Sequence, residues 1–146
     1  MNKEFLNKGP IKPEKIAAYI ADAGNLKDSG GHSIFLGQVR NDSDGNKTVT
    51  AIEYSAYEEM VATEAARIIK LTGDAFPDVK DIIILHSTGL VQAGEISLFV
   101  MVTAGHRDQA TRACRHVVEM IKLNYPVWKK ELFDDNSEQW RDNENH

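Results

Sequence analysis

The most regular pattern in the chain is residues 107–124, RDQATRACRHVVEMIKLN. Its apolar residues recur at intervals of three and four positions, so they form one stripe along a helix. The members of this stripe are Ala110, Ala113, Cys114, Val117, Met120 and Ile121. Pro126 follows, and a proline disfavours helical backbone in the residue before it. The sequence therefore predicts an amphipathic helix from Arg107 to Asn124.

Strand patterns lie on both sides of this helix. Residues 81–87 contain an unbroken apolar run, which is typical of a buried strand, and residues 95–103 also have strand spacing. Gly89 and Gly94 lie between them, which predicts an antiparallel hairpin. A last strand is predicted from Val127 to Phe133.

The first half of the chain begins with a short helix behind Pro13 that ends near Gly24. Residues 32–39 are rich in β-favouring side chains and predict a strand with both faces at least partly buried. Residues 48–54 predict a second strand. Because the Asp44-Gly45 pair between them is a turn signal, we expect these two strands to form an antiparallel hairpin.

Apolar residues at helical spacing predict one more helix from Tyr57 to about Ala75. The predicted order is thus α-β-β-α-β-β-α-β. This order favours an α+β fold in which a mostly antiparallel sheet is packed with helices. We expect one domain over residues 1–146, with a polar tail from about residue 134 to 146.

The composition indicates a folded globular protein and argues against nucleic-acid-binding and membrane proteins. The 146 residues carry a net charge of −5 and are 42% hydrophobic and 27% charged, which is typical of a folded globular domain. The acidic surplus argues against general nucleic-acid binding, which requires many Lys and Arg side chains. No apolar segment approaches the roughly 20 residues that cross a membrane, and the N-terminus lacks the apolar run of a signal peptide. We therefore expect a cytoplasmic protein that binds neither nucleic acid nor membranes.

Three basic groups stand out against this acidic background. They are Arg40 at a strand end, His106-Arg107 at the start of the third predicted helix, and Lys122 with Lys129-Lys130 around its end. A helix N-terminus attracts anions, and a lysine beside an apolar stripe is partly desolvated and suited to proton transfer. Each group also has a simpler interpretation as a solvated surface charge.

Geometry limits which of these residues can act together. In a strand, Lys129 shares a face with Glu131 while Lys130 points to the other, so only one of the two lysines can share a cavity with Lys122. His106 and Lys122 are sixteen residues apart, about 24 Å along one helix, which is too far to grip one small ligand together. Either there are two sites, or a second copy brings its helix start to the first copy's helix end. A two-fold dimer would then hold two composite pockets.

Metal and thiol chemistry find little support in the sequence. The histidines show no metal-ligand spacing with one another or with Cys114, so we expect no metal site. They are His32, His86, His106, His116 and His146. Cys114 lies on the apolar stripe and is interpreted as a small core residue rather than a sulfur carrier.

Four segments of the chain form a set with a familiar order and spacing. They are IFLGQVRN at 34–41, EYSAY at 53–57 with Met60, GHR at 105–107, and Lys122 followed by PVWKKE at 126–131. Over about residues 31–131 this set resembles the large, catalytic subunit of molybdopterin synthase.

The resemblance implies an α/β hammerhead fold and an enzyme that converts cyclic pyranopterin monophosphate into the dithiolene molybdopterin. It implies that the sulfur comes from the C-terminal Gly-Gly thiocarboxylate of a small ubiquitin-like subunit. It also implies a homodimer of the large subunit with one small subunit at each end, a heterotetramer. We expect no cofactor.

The resemblance also assigns residues by position. Lys122 and Lys129 match the family's catalytic lysines, Arg40 its active-site arginine and Phe35 an aromatic residue that lines the pocket. Two further residues match the anion-binding residues that the neighbouring protomer contributes; they are His106 and Arg107.

Two segments near the proposed site receive other interpretations. Trp140-Arg141 matches the family's tail only loosely, and Arg141 is assigned no catalytic role. The polar loop from Asn41 to Lys47 is interpreted as a flap near Arg40.

Other classes of protein fit part of the same pattern. A non-enzymatic oligomeric module that binds a phosphorylated metabolite would also use Arg40, His106 and Arg107. Such a module should tolerate arginine at positions 122 and 129, whereas proton transfer should not. A persulfide-carrying enzyme would instead depend on Cys114.

Overall fold

The computed structural model describes residues 4–141, and within this range the chain forms three helices and eight strands. In chain order they are β1 (Leu6–Lys8), α1 (Pro13–Ala23), β2 (Gly31–Gln38), β3 (Ser43–Asp44), β4 (Lys47–Ala56), α2 (Glu58–Ala75), β5 (Val79–Gln92), β6 (Ile96–Ala104), α3 (Arg107–Asn124), β7 (Val127–Phe133) and β8 (Glu138–Arg141). The predicted order is confirmed for the eight longer elements, and three short strands are added to it.

The strands form one sheet with the path β2-β6-β5-β4-β7-β8, while β1 pairs with β5 and β3 pairs with β4. Only the β1–β5 pairing is parallel among the pairings of residues 4–141. Ile82 and Ile84 of β5 join the larger core with α2 and α3, whereas Leu85 and its neighbour Ile83 pack with α1 in a smaller core. Helices therefore cover both faces of the central strands, and the predicted α+β class is confirmed.

The elements around the predicted site follow the sequence closely. Helix α3 spans Arg107–Asn124 and β7 spans Val127–Phe133, as predicted. Strands β5 and β6 form the predicted hairpin. Cys114 is buried in the larger core, which confirms its interpretation as a core residue, and burial raises the pKa of its thiol.

The prediction that the first two long strands form a hairpin is wrong. β2 pairs along its length with β6, for example Phe35 with Val100, and β4 pairs with β5 and β7. The turn at Gly45 closes only the two pairs between β3 and β4. A turn signal fixes the pairing of its immediate neighbours, whereas the buried β6 offers β2 a partner along its whole length.

The expected burial of both β2 faces is also wrong within one chain. Ile34 and Leu36 are 39% and 44% exposed, while the alternate residues face inward. The reason is position, because β2 is an edge strand and the α1 core reaches only β5 and β6 on that side.

Two smaller differences concern chain segments near turns. Gly89 lies inside β5 rather than in the hairpin turn, because β5 continues as the partner of β4. The predicted polar tail contributes β8, which pairs with β7. Residues 142–146, including His146, lie outside the described residues. No helix within residues 4–141 has the length and apolar character needed to cross a membrane.

Candidate active site

A cavity of ≈ 350 Å³ opens where the end of β2, the β3–β4 turn and the paired strands β7 and β8 meet. Its lining is rich in charged side chains: Arg40, Asp42, Asp44, Lys129, Glu131 and Arg141. Basic and acidic groups are thus brought together from segments that are far apart in the sequence.

Strand alternation places Lys129 inside this cavity. Val127, Lys129 and Glu131 point to the inner face of β7, while Trp128 on the other face is 50% exposed. Lys129 is opposite Tyr54 of β4 on one side and Arg141 of β8 on the other. A central strand between two neighbours therefore fixes the position of this lysine, and the predicted division of faces is confirmed.

The environment of Lys129 disfavours its charged form. The residue is only 3% exposed, and within residues 4–141 it forms no ion pair. Burial is the main cause that lowers the pKa of Lys129; the charges of Arg40 and Lys122 lower it further, while Glu131 and Asp42 act in the opposite direction. The amine therefore loses its proton more readily than a solvated lysine does.

Arg40 follows β2 directly and reaches the same cavity. Its side chain is largely exposed and forms an ion pair with Asp42, with 3.4 Å between Nη2 and Oδ2. A guanidinium has five N–H donors, so one carboxylate leaves it able to bind a second anion. Asp42 belongs to the predicted flap, which does border the cavity.

Lys122 and Phe35 line an adjoining groove of ≈ 280 Å³ between β2 and α3, together with Cys114 and Val118. Lys122 is half-buried in the last turn of α3. Its charge acts on Lys129, so the structure brings Lys122, Lys129 and Arg40 into one electrostatic neighbourhood.

His106 and Arg107 lie at the opposite end of α3 from Lys122, about 24 Å away along the helix axis. Asp78, between α2 and β5, holds this end: its carboxylate accepts the His106 backbone N–H at 2.8 Å and lies 3.2 Å from the ring Nδ1. The His106 side chain is 87% exposed. One chain alone therefore does not unite these two residues with the cavity.

Sequence reasoning assigned no role to three charged groups in the cavity. Arg141 forms ion pairs with Glu131 and with Asp44, the latter at 3.2 Å. The sequence gives no signal for this cluster, because it depends on the pairing of β8 with β7 and on the position of the short strand β3.

Three buried polar side chains lie next to Lys129: Tyr54, Ser97 and His86. The hydroxyl of Tyr54 donates to Ser97 Oγ at 3.0 Å, and the ring of His86 packs edge-on against Tyr54 at 5.1 Å. Burial is the main cause that lowers the pKa of His86 to about 4, so its imidazole is neutral at pH 7. Within residues 4–141 no three His, Cys, Asp or Glu side chains are grouped to hold a metal ion.

Comparison with known proteins identifies relatives of the whole fold. Residues 6–124 match the family model described as MoaE protein. The chain is 41% identical over 118 residues to a molybdopterin synthase catalytic subunit of Pyrococcus abyssi, covering 81% of this chain and 78% of the relative. It is 37% identical over 131 residues to the corresponding Nostoc protein, covering 90% and 76%.

Two solved structures share the fold. The crystal structure of molybdopterin synthase from Staphylococcus aureus superposes with a TM-score of 0.82 at 27% identity and covers 97% of this chain and 98% of that one. A protein–protein complex of subunits 1 and 2 of molybdopterin-converting factor from Helicobacter pylori gives a TM-score of 0.78 at 21% identity, covering 93% and 88%.

Proposed function

This chain belongs to the MoaE family of molybdopterin synthase catalytic subunits, and we propose that it transfers sulfur to cyclic pyranopterin monophosphate to form the dithiolene molybdopterin. The sulfur donor in this proposal is the C-terminal Gly-Gly thiocarboxylate of a small ubiquitin-like subunit. The thiocarboxylate sulfur forms a C–S bond at a substrate carbon as a C–O bond at that carbon breaks, and the displaced oxygen takes up a proton and leaves as water or stays on the phosphate. Water then hydrolyses the acyl–sulfur bond, the sulfur stays on the substrate, and the carrier leaves with a carboxylate at its C-terminus. Two such transfers supply the two sulfur atoms.

The observation that carries this proposal is the state of Lys129. A lysine that is 3% exposed, forms no ion pair within residues 4–141 and has a lowered pKa is costly to keep in a structural role. In a cavity beside Arg40 it is suited to accept the proton that the attacking water releases. Lys122, on the adjoining groove, donates a proton to the oxygen that leaves and stabilises the negative charge that develops as sulfur adds.

Substrate binding in this proposal relies on arginine chemistry. Arg40 provides paired N–H donors for the substrate phosphate, and Phe35 lines the groove against which the pterin lies. His106 and Arg107 of a second copy complete the anion site.

The edge strand β2 supports a route to this composite site. The first residue of β2, Gly31, lies so close to α3 that a Cβ atom at this position would be 3.3 Å from Arg107 Cα. The other end of β2 leads to Arg40. Within residues 4–141 the outer edge of β2 has no strand partner. Antiparallel pairing of two β2 edges about a two-fold axis would bring the His106-Arg107 end of one chain to the Arg40 end of the other. The proposed active assembly is therefore this homodimer with one small subunit bound at each end.

Reconstitution tests the proposal directly. The purified chain is mixed with cyclic pyranopterin monophosphate and a thiocarboxylated small subunit, and the dithiolene product is quantified by mass spectrometry. We expect product with the unmodified chain and none when the small subunit carries an ordinary carboxylate. Absence of product with reagents that support a known molybdopterin synthase would contradict the proposal.

Arginine substitutions separate catalysis from simple metabolite binding. Lys129→Arg and Lys122→Arg keep the positive charge but not a group that readily gives up a proton. We expect each to reduce product formation by at least about 100-fold while substrate binding, measured by calorimetry, changes little. Retained product formation in both variants would instead favour a charge-only role in binding.

A further inference from the structure

Arg141 of β8 and Lys129 of β7 are direct cross-strand neighbours in the cavity wall. The Arg141 guanidinium does not bond to the lysine but to two carboxylates, one on β7 and one on β3. Its Nε donates to Glu131 Oε1, and its Nη2 lies 3.2 Å from Asp44 Oδ2. The Glu131 side chain is only 15% exposed, so this pair lies in the wall rather than in open solvent.

Glu131 is also the carboxylate best placed to hold Lys129 as an ammonium ion. The two residues lie on the same face of β7, two positions apart. Among the charges that act on Lys129, Glu131 contributes the largest one that favours the protonated amine. The same carboxylate therefore has two cationic neighbours, and in the structure it is bonded to Arg141.

We propose that Arg141 is a positioning residue: by holding Glu131 in an ion pair, it keeps this carboxylate from pairing with Lys129 and leaves the lysine amine able to accept a proton. The contact geometry carries this inference, and only its consequence for catalysis rests on the proposed function.

The other groups that face Lys129 do not replace Arg141 in this role. Lys122 of α3 and Arg40 after β2 both disfavour the ammonium form, while Asp42 favours it only as the smallest of the charge effects. His86 of β5 is neutral above its pKa of about 4.

Tyr54 and Asp44 also lie near Lys129, and neither places a strong charge next to its amine. Tyr54 of β4 is neutral at ordinary pH, because burial raises the pKa of its hydroxyl. Asp44 of β3 lines the cavity, but its side chain is 51% exposed, so solvent screens its charge. Glu131 is therefore the carboxylate whose engagement matters most for Lys129.

The test measures the proton affinity of Lys129 without substrate. The intact chain is labelled with trace acetic anhydride between pH 6 and pH 11, and modification of Lys129 is quantified by peptide mass spectrometry. We expect Arg141→Gln to raise the midpoint of the labelling curve by about one pH unit, which corresponds to about tenfold less neutral amine at pH 7. Arg141→Lys, which keeps a cation next to Glu131, should keep the midpoint close to that of the unmodified chain.

Two controls make the result specific. In a Glu131→Gln background, Arg141→Gln should move the midpoint by less than half as much, since the carboxylate to be released is gone. Arg67 and Glu64 form another arginine–glutamate ion pair on α2, with 2.9 Å between Arg67 Nη2 and Glu64 Oε2. Arg67→Gln breaks this pair and should leave the labelling midpoint of Lys129 unchanged.

The inference is overturned by an unchanged midpoint in Arg141→Gln, or by an equal rise in both backgrounds, which would reveal only a direct effect of the arginine charge. Its failure is distinct from failure of the proposed function, because labelling requires no turnover. If the midpoint moves as expected and the enzyme is active, the pH dependence of product formation should move in the same direction.

Discussion

The proposed chemistry depends most on Lys129, a buried lysine in the cavity wall. Its place on the inner face of β7 could be predicted from strand alternation alone. Its burial and its lack of an ion pair within residues 4–141 could not, because they depend on how β4, β8 and the end of β2 surround it. The ion pairs of Arg141 could not be predicted either, because its partners Glu131 and Asp44 lie 10 and 97 positions away in the chain.

Replacing Lys129 by methionine should separate stability from activity. Methionine keeps a similar shape and removes an amine that is costly to bury, so we expect Lys129→Met to raise the free energy of unfolding by about 1 kcal/mol and to abolish product formation. Because the folded pKa lies below the ordinary 10.5, the amine costs stability at low pH and the cost fades as pH approaches 10.5. Urea unfolding at pH 7 and pH 10.5 checks this, and a gain that is equal at both values would contradict it.

His86 predicts a loss of stability in mild acid. Its folded pKa of about 4 lies below the ordinary value of 6.5, so the unfolded chain binds the proton more tightly. The free energy of unfolding should therefore fall by up to about 3 kcal/mol as pH drops from 6.5 towards 4. His86→Gln keeps a donor for the Ser87 carbonyl, which Nδ1 contacts at 2.8 Å, and should reduce this acid dependence. A pH dependence identical to that of the unmodified chain in urea unfolding would show that His86 is not its source.

At the scale of elements, the predictable parts are those governed by local rules. The apolar stripe and Pro126 define α3 at Arg107–Asn124, and β-favouring residues before the tail define β7. The pairing of β2 with β6 rather than β4 was not predictable in the same way, since partner choice depends on burial across the whole sheet. The start of α3 also depends on a distant residue, because the side chain of His106, which directly precedes the helix, forms no capping hydrogen bond.

Asp78 supplies that cap from outside the helix. Its carboxylate accepts the His106 N–H at 2.8 Å, and its own N–H donates to Gln109 Oε1 at 2.9 Å. Asp78→Ala should lower the free energy of unfolding by about 1 kcal/mol, whereas Asp78→Asn should lose less because an amide oxygen still accepts the N–H. Denaturant unfolding of both variants measures this, and equal losses would show that the carboxylate charge, rather than the hydrogen bond, stabilises the helix start.

At the scale of the molecule, the residues assigned to one site lie at two ends of α3. Arg40, Lys122 and Lys129 gather near its end, and His106 and Arg107 lie at its start. The exposed Ile34 and Leu36 beside the open edge of β2 provide an apolar surface of the kind that a second copy buries. The length of α3 could be predicted from the sequence, and this length already required either two separate sites or two chains. The open edge of β2 could not be predicted, because it depends on the order of strands in the sheet.

Complementation between two inactive variants tests the composite site most directly. Lys129→Ala and His106→Ala are each expected to be inactive as homodimers. In a mixed dimer, one pocket carries both substitutions, and the other combines an intact Lys129 with an intact His106 from the partner. After subunit exchange at equal amounts, the reconstituted assay should therefore recover about a quarter of the unmodified activity. If mixing recovers none although mass spectrometry shows that mixed dimers have formed, His106 does not act across the dimer and the composite site is wrong.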